Sequence, residues 1–305
     1  MQGRVIKSTG SWYTVESPNG AAVPCKIRGA LRLQESDATS PVVVGDHVVF
    51  EITDSGNGLI TEVLKRKNYI VRKSTKLSKQ SQLLAANIDR AFLVVTIVQP
   101  RTSTGFIDRY LVTAEAYAVP VTLIFNKSDL YTADDFEYQE ALAAMYGSLG
   151  YGILRVSAHN PDDVRMLRDQ LVDGLNLFSG HSGVGKSTLL NALNPALGLK
   201  TAAISTQHEK GTHTTTFAEM HKLSNDVYIV DTPGIRDFGM YDFSKQEVSH
   251  YLPEMRSLLN QCRFDNCMHL NEPGCAVKKA VDEDAIAYSR YQSYLSILNG
   301  DDNYK

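Results

Sequence analysis

The fold is decided by one stretch near the middle of the chain, Gly180-His181-Ser182-Gly183-Val184-Gly185-Lys186-Ser187. The apolar run 175–178 precedes it, and Thr188 opens a helix-like run that extends to residue 193. A strand, a glycine-rich turn and a helix in this order are the context that a phosphate-binding P-loop requires. Glycines let backbone N–H groups approach phosphate oxygens, and the first turn of the helix adds unpaired N–H groups. The pattern predicts a nucleoside triphosphate site in which Lys186 reaches the β- and γ-phosphates and Ser187 binds Mg²⁺.

The composition is typical of a soluble globular protein. Of its 305 residues, 43% are hydrophobic and 21% are charged, and the formal net charge is −3. This length predicts two or three domains. Because the whole chain is not a polycation, any contact with nucleic acid requires a local basic patch. No apolar run approaches the roughly 20 residues of a membrane span, and residues 1–12 lack the apolar core of a signal peptide. We therefore expect a cytoplasmic protein without membrane contact.

The first 70 residues alternate short β-rich runs with turns. Strands are predicted over residues 3–8, 12–16, 23–27, 42–52 and 59–64. About five strands without a helix favour a small closed β-barrel of the OB or SH3 type. Such a barrel is either a purely structural module or an RNA-binding OB-fold, since OB-folds commonly hold oligonucleotides.

Residues 65–90 are rich in lysine and arginine and are predicted to be a basic connector. A charge run of this kind is either a solvated linker or a binding site. Its position directly after a candidate oligonucleotide-binding barrel keeps both interpretations open. The basic residues are Lys65, Arg66, Lys67, Arg72, Lys73, Lys76, Lys79 and Arg90.

From about residue 88 the pattern changes to alternating strands and helices. Strands are predicted over 91–98, 121–125, 153–156 and 175–178, and helices over 107–117, 134–149 and 161–171. Asn160 and Pro161 suit the N-cap and the first turn of the third helix. Residues 216–223 and 226–230 are predicted to form a hairpin. This order predicts a mostly parallel, doubly wound sheet, in which ligands bind beyond the carboxyl ends of the strands.

A second motif selects the base of the nucleotide. Asn126-Lys127-Ser128-Asp129 directly follows the predicted strand 121–125. The Asp129 carboxylate can accept hydrogen bonds from N1–H and from the exocyclic amine of guanine, a pair of donors that adenine lacks. Asn126 can bind the purine edge and brace the P-loop, and the stem of Lys127 can lie across the base. The next strand is followed by Ser157-Ala158-His159, whose backbone can contact the guanine O6. By itself, each motif is also compatible with an ordinary turn.

Two stretches after the P-loop complete the predicted phosphate site. Residues 211–216 read Gly-Thr-His-Thr-Thr-Thr and resemble a mobile switch, where a threonine hydroxyl can complete the Mg²⁺ shell. Residues 231–234 read Asp-Thr-Pro-Gly after a predicted strand. Asp231 can hold Mg²⁺ through water, and the Gly234 N–H can sense the γ-phosphate. Each stretch alone is equally compatible with a surface loop.

Three of the four cysteines lie close together near the C-terminus, in the pattern Cys262-x4-Cys267-x-His269-x5-Cys275. In a reducing compartment, three thiolates and an imidazole favour one structural, four-coordinate Zn²⁺ with no position left open for catalysis. The alternative is a group of unrelated reduced cysteines. Helices are predicted over 244–262, with an interruption near Pro253, and over 284–298. Cys25 is alone in the β-rich segment, and we expect it to be buried.

These motifs together resemble those of the translation-factor-related GTPases. They occur in the order base, base, P-loop, switch I, switch II, whereas conventional GTPases begin with the P-loop, so the G domain is circularly permuted. With a β-barrel before it and a Cys/His segment after it, the chain resembles the ribosome small-subunit-dependent GTPase A family. The resemblance implies an OB-fold at 1–70, a permuted α/β G domain at 71–240 and a mainly α zinc-binding domain at 241–305.

The resemblance also implies a function and roles for individual residues. It implies GTP hydrolysis coupled to late maturation of the 30S ribosomal subunit, with contacts to 16S rRNA and Mg²⁺ bound with GTP. Thr215, or alternatively Thr214, matches the switch I threonine, and His213 matches a histidine proposed to activate the attacking water. A classical GTPase often has Gln after the switch II glycine, but Ile235 occupies that position here and cannot orient water. His213 is otherwise a solvent-facing loop residue.

Two hypotheses describe the function. The main hypothesis is a monomeric GTPase that switches during subunit assembly. The alternative is an RNA-binding assembly factor in which guanine nucleotide only tunes the affinity.

Arg236 is compatible both with stabilising transition-state charge and with a structural ion pair.

Overall fold

A computed structural model describes residues 1–29, 41–54, 56–73, 81–199, 201, 219–224, 226–231 and 244–300. None of the helices in these ranges has the length and apolarity that a membrane crossing needs. The first unit is a closed five-stranded barrel, which confirms the predicted β-module. Its strands are β1 (Gln2–Ser8), β2 (Tyr13–Glu16), β3 (Ala22–Ile27), β4 (His47–Ile52) and β5 (Gly58–Val63).

The barrel has the strand order β1-β2-β3-β5-β4 and is closed by antiparallel pairing of β1 with β4. The parallel pairing of β3 with β5 in this five-stranded barrel favours the OB alternative over the SH3 one, whose strands are all antiparallel. Alternate residues point inward, and Val5, Tyr13, Phe50 and Ile60 form its core together with Cys25, which is buried as expected. The predicted strand 42–52 begins only at His47. Gly45, at φ +90°, turns the chain so closely that a Cβ would lie 2.0 Å from the Ala86 oxygen.

The interpretation of residues 65–90 as a solvated linker is wrong where the structure describes them. Two strands, β6 (Tyr69–Lys73) and β7 (Ser81–Ala86), pair as an antiparallel hairpin. Arg66 is not a solvated charge: its Nε and Nη2 donate to the two oxygens of the buried Asp46 carboxylate at 2.7 and 2.9 Å. Lys67 forms an ion pair with Asp89. These cations therefore anchor the segment between the barrel and the following sheet.

The second unit is the predicted α/β sheet. Its strands have the order β10-β9-β8-β11-β13-β12, and every neighbouring pair is parallel except β12 with β13. One further pairing, of Glu219 in β12 with Lys7 in β1, joins this sheet to the barrel. The strands are β8 (Arg90–Val95), β9 (Val121–Phe125), β10 (Gly152–Arg155), β11 (Gly174–Ser179), β12 (Glu219–Lys222) and β13 (Val227–Asp231).

Helices cover both faces of this sheet, because residues on both faces of its strands are apolar. Leu93 and Val95 of β8 pack toward α1 and α2, whereas Phe92 and Val94 pack toward α3 and α4. Asn160 caps α3 as predicted, accepting a hydrogen bond from the Asp162 N–H at 3.0 Å. The helices are α1 (Thr104–Ala116), α2 (Ala133–Ser148), α3 (Pro161–Asp169) and α4 (Lys186–Leu193).

The C-terminal region has the interruption predicted near Pro253, but residues 244–262 contain less α-helix than predicted. Leu252 is extended, as residues before proline usually are, and Pro253 starts a new helix. Three short pieces result: a 3₁₀ segment (Lys245–Tyr251), α5 (Pro253–Arg256) and a second 3₁₀ segment (Leu259–Gln261). They are followed by α6 (Ala276–Asp282), which was not predicted, and α7 (Tyr288–Asn299), which begins four residues later than predicted. This region packs on α1 through an apolar cluster that includes Val112 of α1 and Tyr294 of α7.

Candidate functional site

The loop between β11 and α4 has the backbone that the glycine pattern requires. Gly180, Gly183 and Gly185 have φ values of +145°, +86° and +92°. A Cβ at Gly180 would lie 2.2 Å from the Val94 oxygen, so only glycine fits there. At Gly185 a Cβ would lie 2.5 Å from Asn126 Nδ2. The P-loop is therefore packed tightly against the end of β8 and the residue that follows β9.

The Lys186 ammonium group lies over this loop. Its Nζ donates to the carbonyl oxygens of Gly180 at 2.7 Å and of His181 at 2.8 Å. Ser187 and Thr188 follow in the first turn of α4, where backbone N–H groups are free of helical partners. The His181 ring contacts the Phe106 ring of α1, with centroids 3.6 Å apart. A cation and the amino end of a helix thus converge on the P-loop, an arrangement that suits a phosphate chain.

The Asn126 side chain connects the second motif to the P-loop. Its Nδ2 donates to the Val184 oxygen at 2.8 Å, and its backbone N–H donates to the Val95 oxygen at 2.9 Å. Asn126 is buried, and its Oδ1 accepts no hydrogen bond from the described residues. The contact that would brace the P-loop is therefore present.

Lys127 makes a second connection between the same loops. It has φ +64°, a left-handed conformation that is uncommon outside glycine. Its Nζ donates to the Gly183 oxygen at 2.7 Å and also to the Gln99 oxygen. Partial burial lowers the pKa of Lys127, although Asp129 opposes the shift. These two hydrogen bonds fix the Lys127 side chain between the P-loop and the segment that contains Gln99.

Asp129 is tied to the Ser157-Ala158-His159 loop. Ser157 Oγ donates to Asp129 Oδ1 at 2.6 Å and accepts from the His159 N–H at 3.2 Å. The Ser157 N–H donates to Asp163 Oδ2 at 2.7 Å, at the start of α3. Asp129 itself remains exposed to solvent. The carboxylate that would select guanine is therefore oriented by the motif that would contact the guanine O6.

The sheet register explains why these loops meet. Val95, Phe125 and Arg155 are register partners on β8, β9 and β10, and Phe178 of β11 pairs with Asp231 of β13. The stretches that start at Asn126, Ser157, Gly180 and Asp231 each begin within two residues of the carboxyl end of a strand, so these four starting points lie at one edge of the sheet. Among the predicted residues, His213, Thr214, Thr215, Gly234, Ile235 and Arg236 lie outside the described residues.

Several residues that shape this site were not predicted. Gln99 contributes only its carbonyl oxygen, Asp163 binds a backbone N–H, and Tyr131 Oη donates to the Asn126 oxygen at 2.9 Å. Contacts to main-chain groups do not require a particular partner residue, so they leave no motif in the sequence.

The four predicted metal ligands lie together in the C-terminal region. The ligand atoms of Cys262, Cys267, His269 and Cys275 all lie within 4.8 Å of one another. His269 Nδ1 lies 3.3 Å from Cys275 Sγ and 3.6 Å from Cys262 Sγ. A tetrahedral ion about 2.3 Å from sulfur and about 2.0 Å from nitrogen would separate such atoms by about 3.6 Å. The cluster therefore has the size of a closed metal site, as predicted.

The surroundings hold these ligands in place. Tyr291 Oη donates to the His269 oxygen at 2.6 Å, and the Lys278 N–H at the start of α6 donates to Cys275 Sγ at 3.4 Å. Burial raises the pKa of Cys267 to about 12 and lowers that of His269. Burial thus favours the neutral imidazole, which can bind a cation, whereas the Cys267 thiol would lose its proton to solvent on binding one.

Comparison with known proteins identifies the family. A family profile described as RsgA GTPase matches residues 63–241, and one described as RsgA N-terminal domain matches residues 2–60. The chain belongs to the RsgA GTPase family. This confirms the resemblance drawn from the motifs, and the chain is a GTPase.

Relatives in this family match nearly the whole chain. "Small ribosomal subunit biogenesis GTPase RsgA" from Bacteroides fragilis is 52% identical over 298 residues, which are 98% of this chain and 96% of the relative. The protein of that name from Flavobacterium johnsoniae is 50% identical over 307 residues, with coverage of 100% and 94%.

Two solved structures share the fold. YjeQ from Thermotoga maritima superposes with a TM-score of 0.80 at 36% identity, covering 98% of this chain and 97% of that one. YloQ, described as a circularly permuted GTPase, has a TM-score of 0.75 at 28% identity, with coverage of 98% and 94%. The permuted motif order predicted from the sequence agrees with this description of YloQ.

Proposed function

We propose that this RsgA-family GTPase binds the small ribosomal subunit and couples GTP hydrolysis to a late step in its maturation. The relatives that are 52% and 50% identical to this chain are both named small ribosomal subunit biogenesis GTPases. The observation that carries the nucleotide part is the hydrogen bond from Asn126 Nδ2 to the Val184 oxygen at 2.8 Å, which joins the base motif to the P-loop.

In the proposed site, guanine lies against residues 126–129 and 157–159. Asp129 accepts hydrogen bonds from the base, and the stem of Lys127 covers one of its faces. The phosphates lie in the P-loop, where Lys186 exchanges its loop carbonyl partners for phosphate oxygens. Mg²⁺ is held by Ser187, by Thr215 or Thr214, and by Asp231 through water, and Gly234 senses the γ-phosphate.

The proposed role of His213 is to orient the attacking water. Ile235 follows the switch II glycine and offers no hydrogen-bonding group for that task. Hydrolysis removes the γ-phosphate that orders the two switch stretches, 211–216 and 231–234. Released switches then change how the flanking domains hold RNA.

The proposed metal is one structural Zn²⁺ on the Cys/His cluster. Three sulfur ligands and one nitrogen ligand suit zinc, and no protein position remains open for water. Such an ion would hold residues 262–275 in the conformation that α6 and α7 pack against.

The proposed rRNA contacts lie on the barrel and beside the metal cluster. Trp12 is 39% exposed, and Lys26 Nζ lies 4.5 Å from its ring centroid. Phe264 is 41% exposed, and the Arg263 guanidinium lies 5.6 Å from its ring centroid. An exposed aromatic ring beside a cation suits stacking with bases near a phosphate chain. Domains of 1–70, 71–240 and 241–305, a monomeric state and a cytoplasmic location belong to the same proposal.

The test is GTP turnover by the full chain, with and without purified small ribosomal subunits, at a fixed salt concentration because phosphate contacts are sensitive to salt. We expect the subunits to accelerate turnover and Lys186→Ala to abolish it. A rate of GTP turnover that is unchanged by the subunits, or that is unchanged in Lys186→Ala, would contradict the proposal.

The alternative function is RNA binding whose affinity guanine nucleotide only tunes. The variant His213→Ala distinguishes it from the proposed GTPase function. Our proposal expects this variant to lose hydrolysis and still bind the subunit with a non-hydrolysable GTP analogue. Equal subunit affinity in the GDP-bound and analogue-bound states would contradict both functions and indicate a constitutive RNA-binding protein.

A further inference from the structure

We propose that Tyr131 is a positioning residue for guanine recognition. Its hydroxyl fastens the base loop, residues 126–129, to the β8–α1 loop, residues 96–103. The inference rests on the nucleotide site proposed above and adds a residue that belongs to none of the recognised motifs.

The Tyr131 hydroxyl joins two stretches of backbone. Its Oη donates to the Asn126 oxygen at 2.9 Å and accepts from the Ile97 N–H at 3.4 Å. Burial raises the pKa of Tyr131 to about 12, so the hydroxyl keeps its proton at neutral pH and can donate it. The ring packs separately, edge-on against Phe136 with centroids 5.4 Å apart. Packing and hydrogen bonding are thus carried by different parts of the side chain.

One of the two contacts fixes the peptide group before Lys127. The Asn126 oxygen belongs to that peptide group, and Lys127 follows it at φ +64°. A non-glycine residue in this region persists only where its surroundings hold it, because the conformation is unfavourable by about 1 kcal/mol or more. The Tyr131 hydroxyl supplies one such restraint at the place where the base loop leaves β9.

The other contact fixes the loop that receives the Lys127 amine. Ile97 lies two residues before Gln99, whose carbonyl oxygen accepts from Lys127 Nζ. Within this loop the Thr102 N–H donates to the Thr96 oxygen at 2.9 Å, which connects the two ends of the loop. Tyr131 therefore holds both the peptide that presents Lys127 and the loop that accepts its ammonium group. Through Lys127 and the Gly183 oxygen, the restraint extends to the P-loop.

The test is Tyr131→Phe, which keeps the ring and removes only the hydroxyl. Calorimetric titration with Mg²⁺ and GDP, and separately with inosine diphosphate, measures affinity and base selectivity together. Inosine diphosphate lacks the exocyclic amine that Asp129 is proposed to bind. We expect the Kd for GDP to rise about three- to tenfold, the effect of losing one buried hydrogen bond. The Kd for inosine diphosphate should rise less, so the preference for GDP shrinks.

Tyr288→Phe is the matched control, since Tyr288 is 63% exposed at the start of α7, and it should leave both affinities unchanged. An unchanged GDP affinity in Tyr131→Phe would overturn the proposal. Equal weakening for both nucleotides would also overturn it, because a general loss of packing cannot change selectivity.

Asp129→Asn, titrated in the same way, distinguishes failure of the proposed nucleotide site from failure of the proposed role of Tyr131. If Asp129→Asn weakens GDP binding and Tyr131→Phe does not, the role of Tyr131 is refuted and the site stands. If Asp129→Asn leaves GDP binding intact, the proposed site is wrong and the role of Tyr131 falls with it.

Discussion

Arg290→Met tests how the C-terminal region is held on the G domain. Arg290 is buried, and its Nη1 donates to Asp108 Oδ1 of α1 at 2.7 Å. Its Nε and Nη2 donate to the Glu254 carboxylate at 2.7 and 3.2 Å. Methionine keeps most of the length but leaves two buried carboxylates without their cation. Breaking a buried ion pair from one side destabilises by about 3–5 kcal/mol.

The assay is native-state hydrogen exchange of the α7 amides. Since about 1.4 kcal/mol corresponds to a factor of ten, protection in α7 should fall by about two to three and a half orders of magnitude. Arg256→Met is the matched control: Arg256 Nη1 lies 3.0 Å from Glu115 Oε2, also on α1, but its side chain is 52% exposed. An exposed pair contributes about 1 kcal/mol or less. Equal loss of protection in the two variants would refute the reasoning.

The pH dependence of the same variant gives a second check. Burial raises the pKa of Asp108, and Arg290 opposes that rise. Without Arg290 the folded-state pKa of Asp108 lies further above its unfolded value of about 3.9, so protonation favours the folded state. The deficit of Arg290→Met should therefore shrink as the pH falls from about 8 to about 5. A deficit that grows over that range would contradict this assignment of charges.

The remaining predictions concern the P-loop and the metal cluster. Gly180→Ala should abolish GDP binding in a titration, because its Cβ would lie 2.2 Å from the Val94 oxygen. Gly150→Ala also places alanine at a positive φ, but with no atom within 4 Å, so it should keep full GDP affinity. Removing the metal with a chelator should expose the amides of α6 and α7 to hydrogen exchange, and added Zn²⁺ should restore their protection. Unchanged exchange after verified metal removal would argue against a structural ion.

The parts of the fold that follow from local pattern were predictable. A strand buried on both faces needs mostly apolar residues. All five residues of β9 are buried, and all but Thr122 are apolar. The base motif was found because it directly follows such a strand. The caps were also readable: Asn160 precedes a proline at the first helical position.

Contacts between distant residues were not predictable. Arg66 pairs with Asp46 over 20 positions, and Arg290 pairs with Asp108 over 182 positions. In the sequence, Arg66 is only part of a charge run, so its buried partner could not be inferred. The β6–β7 hairpin was missed for a different reason, because the lysine and arginine residues of this segment obscured its apolar residues. The catalytic role of His213 stays a prediction, because it lies outside the described residues.

The central claim is that residues 126–129, 157–159 and 180–188 form one guanine-nucleotide site at which GTP is hydrolysed. Asp129→Asn tests it most directly, by turnover of GTP and of xanthosine triphosphate measured side by side with small ribosomal subunits present. Xanthine has a carbonyl oxygen where guanine has its exocyclic amine, and an asparagine amide can donate to that oxygen. We expect the variant to lose GTP turnover and to gain turnover of xanthosine triphosphate. An Asp129→Asn protein that still prefers GTP would contradict it.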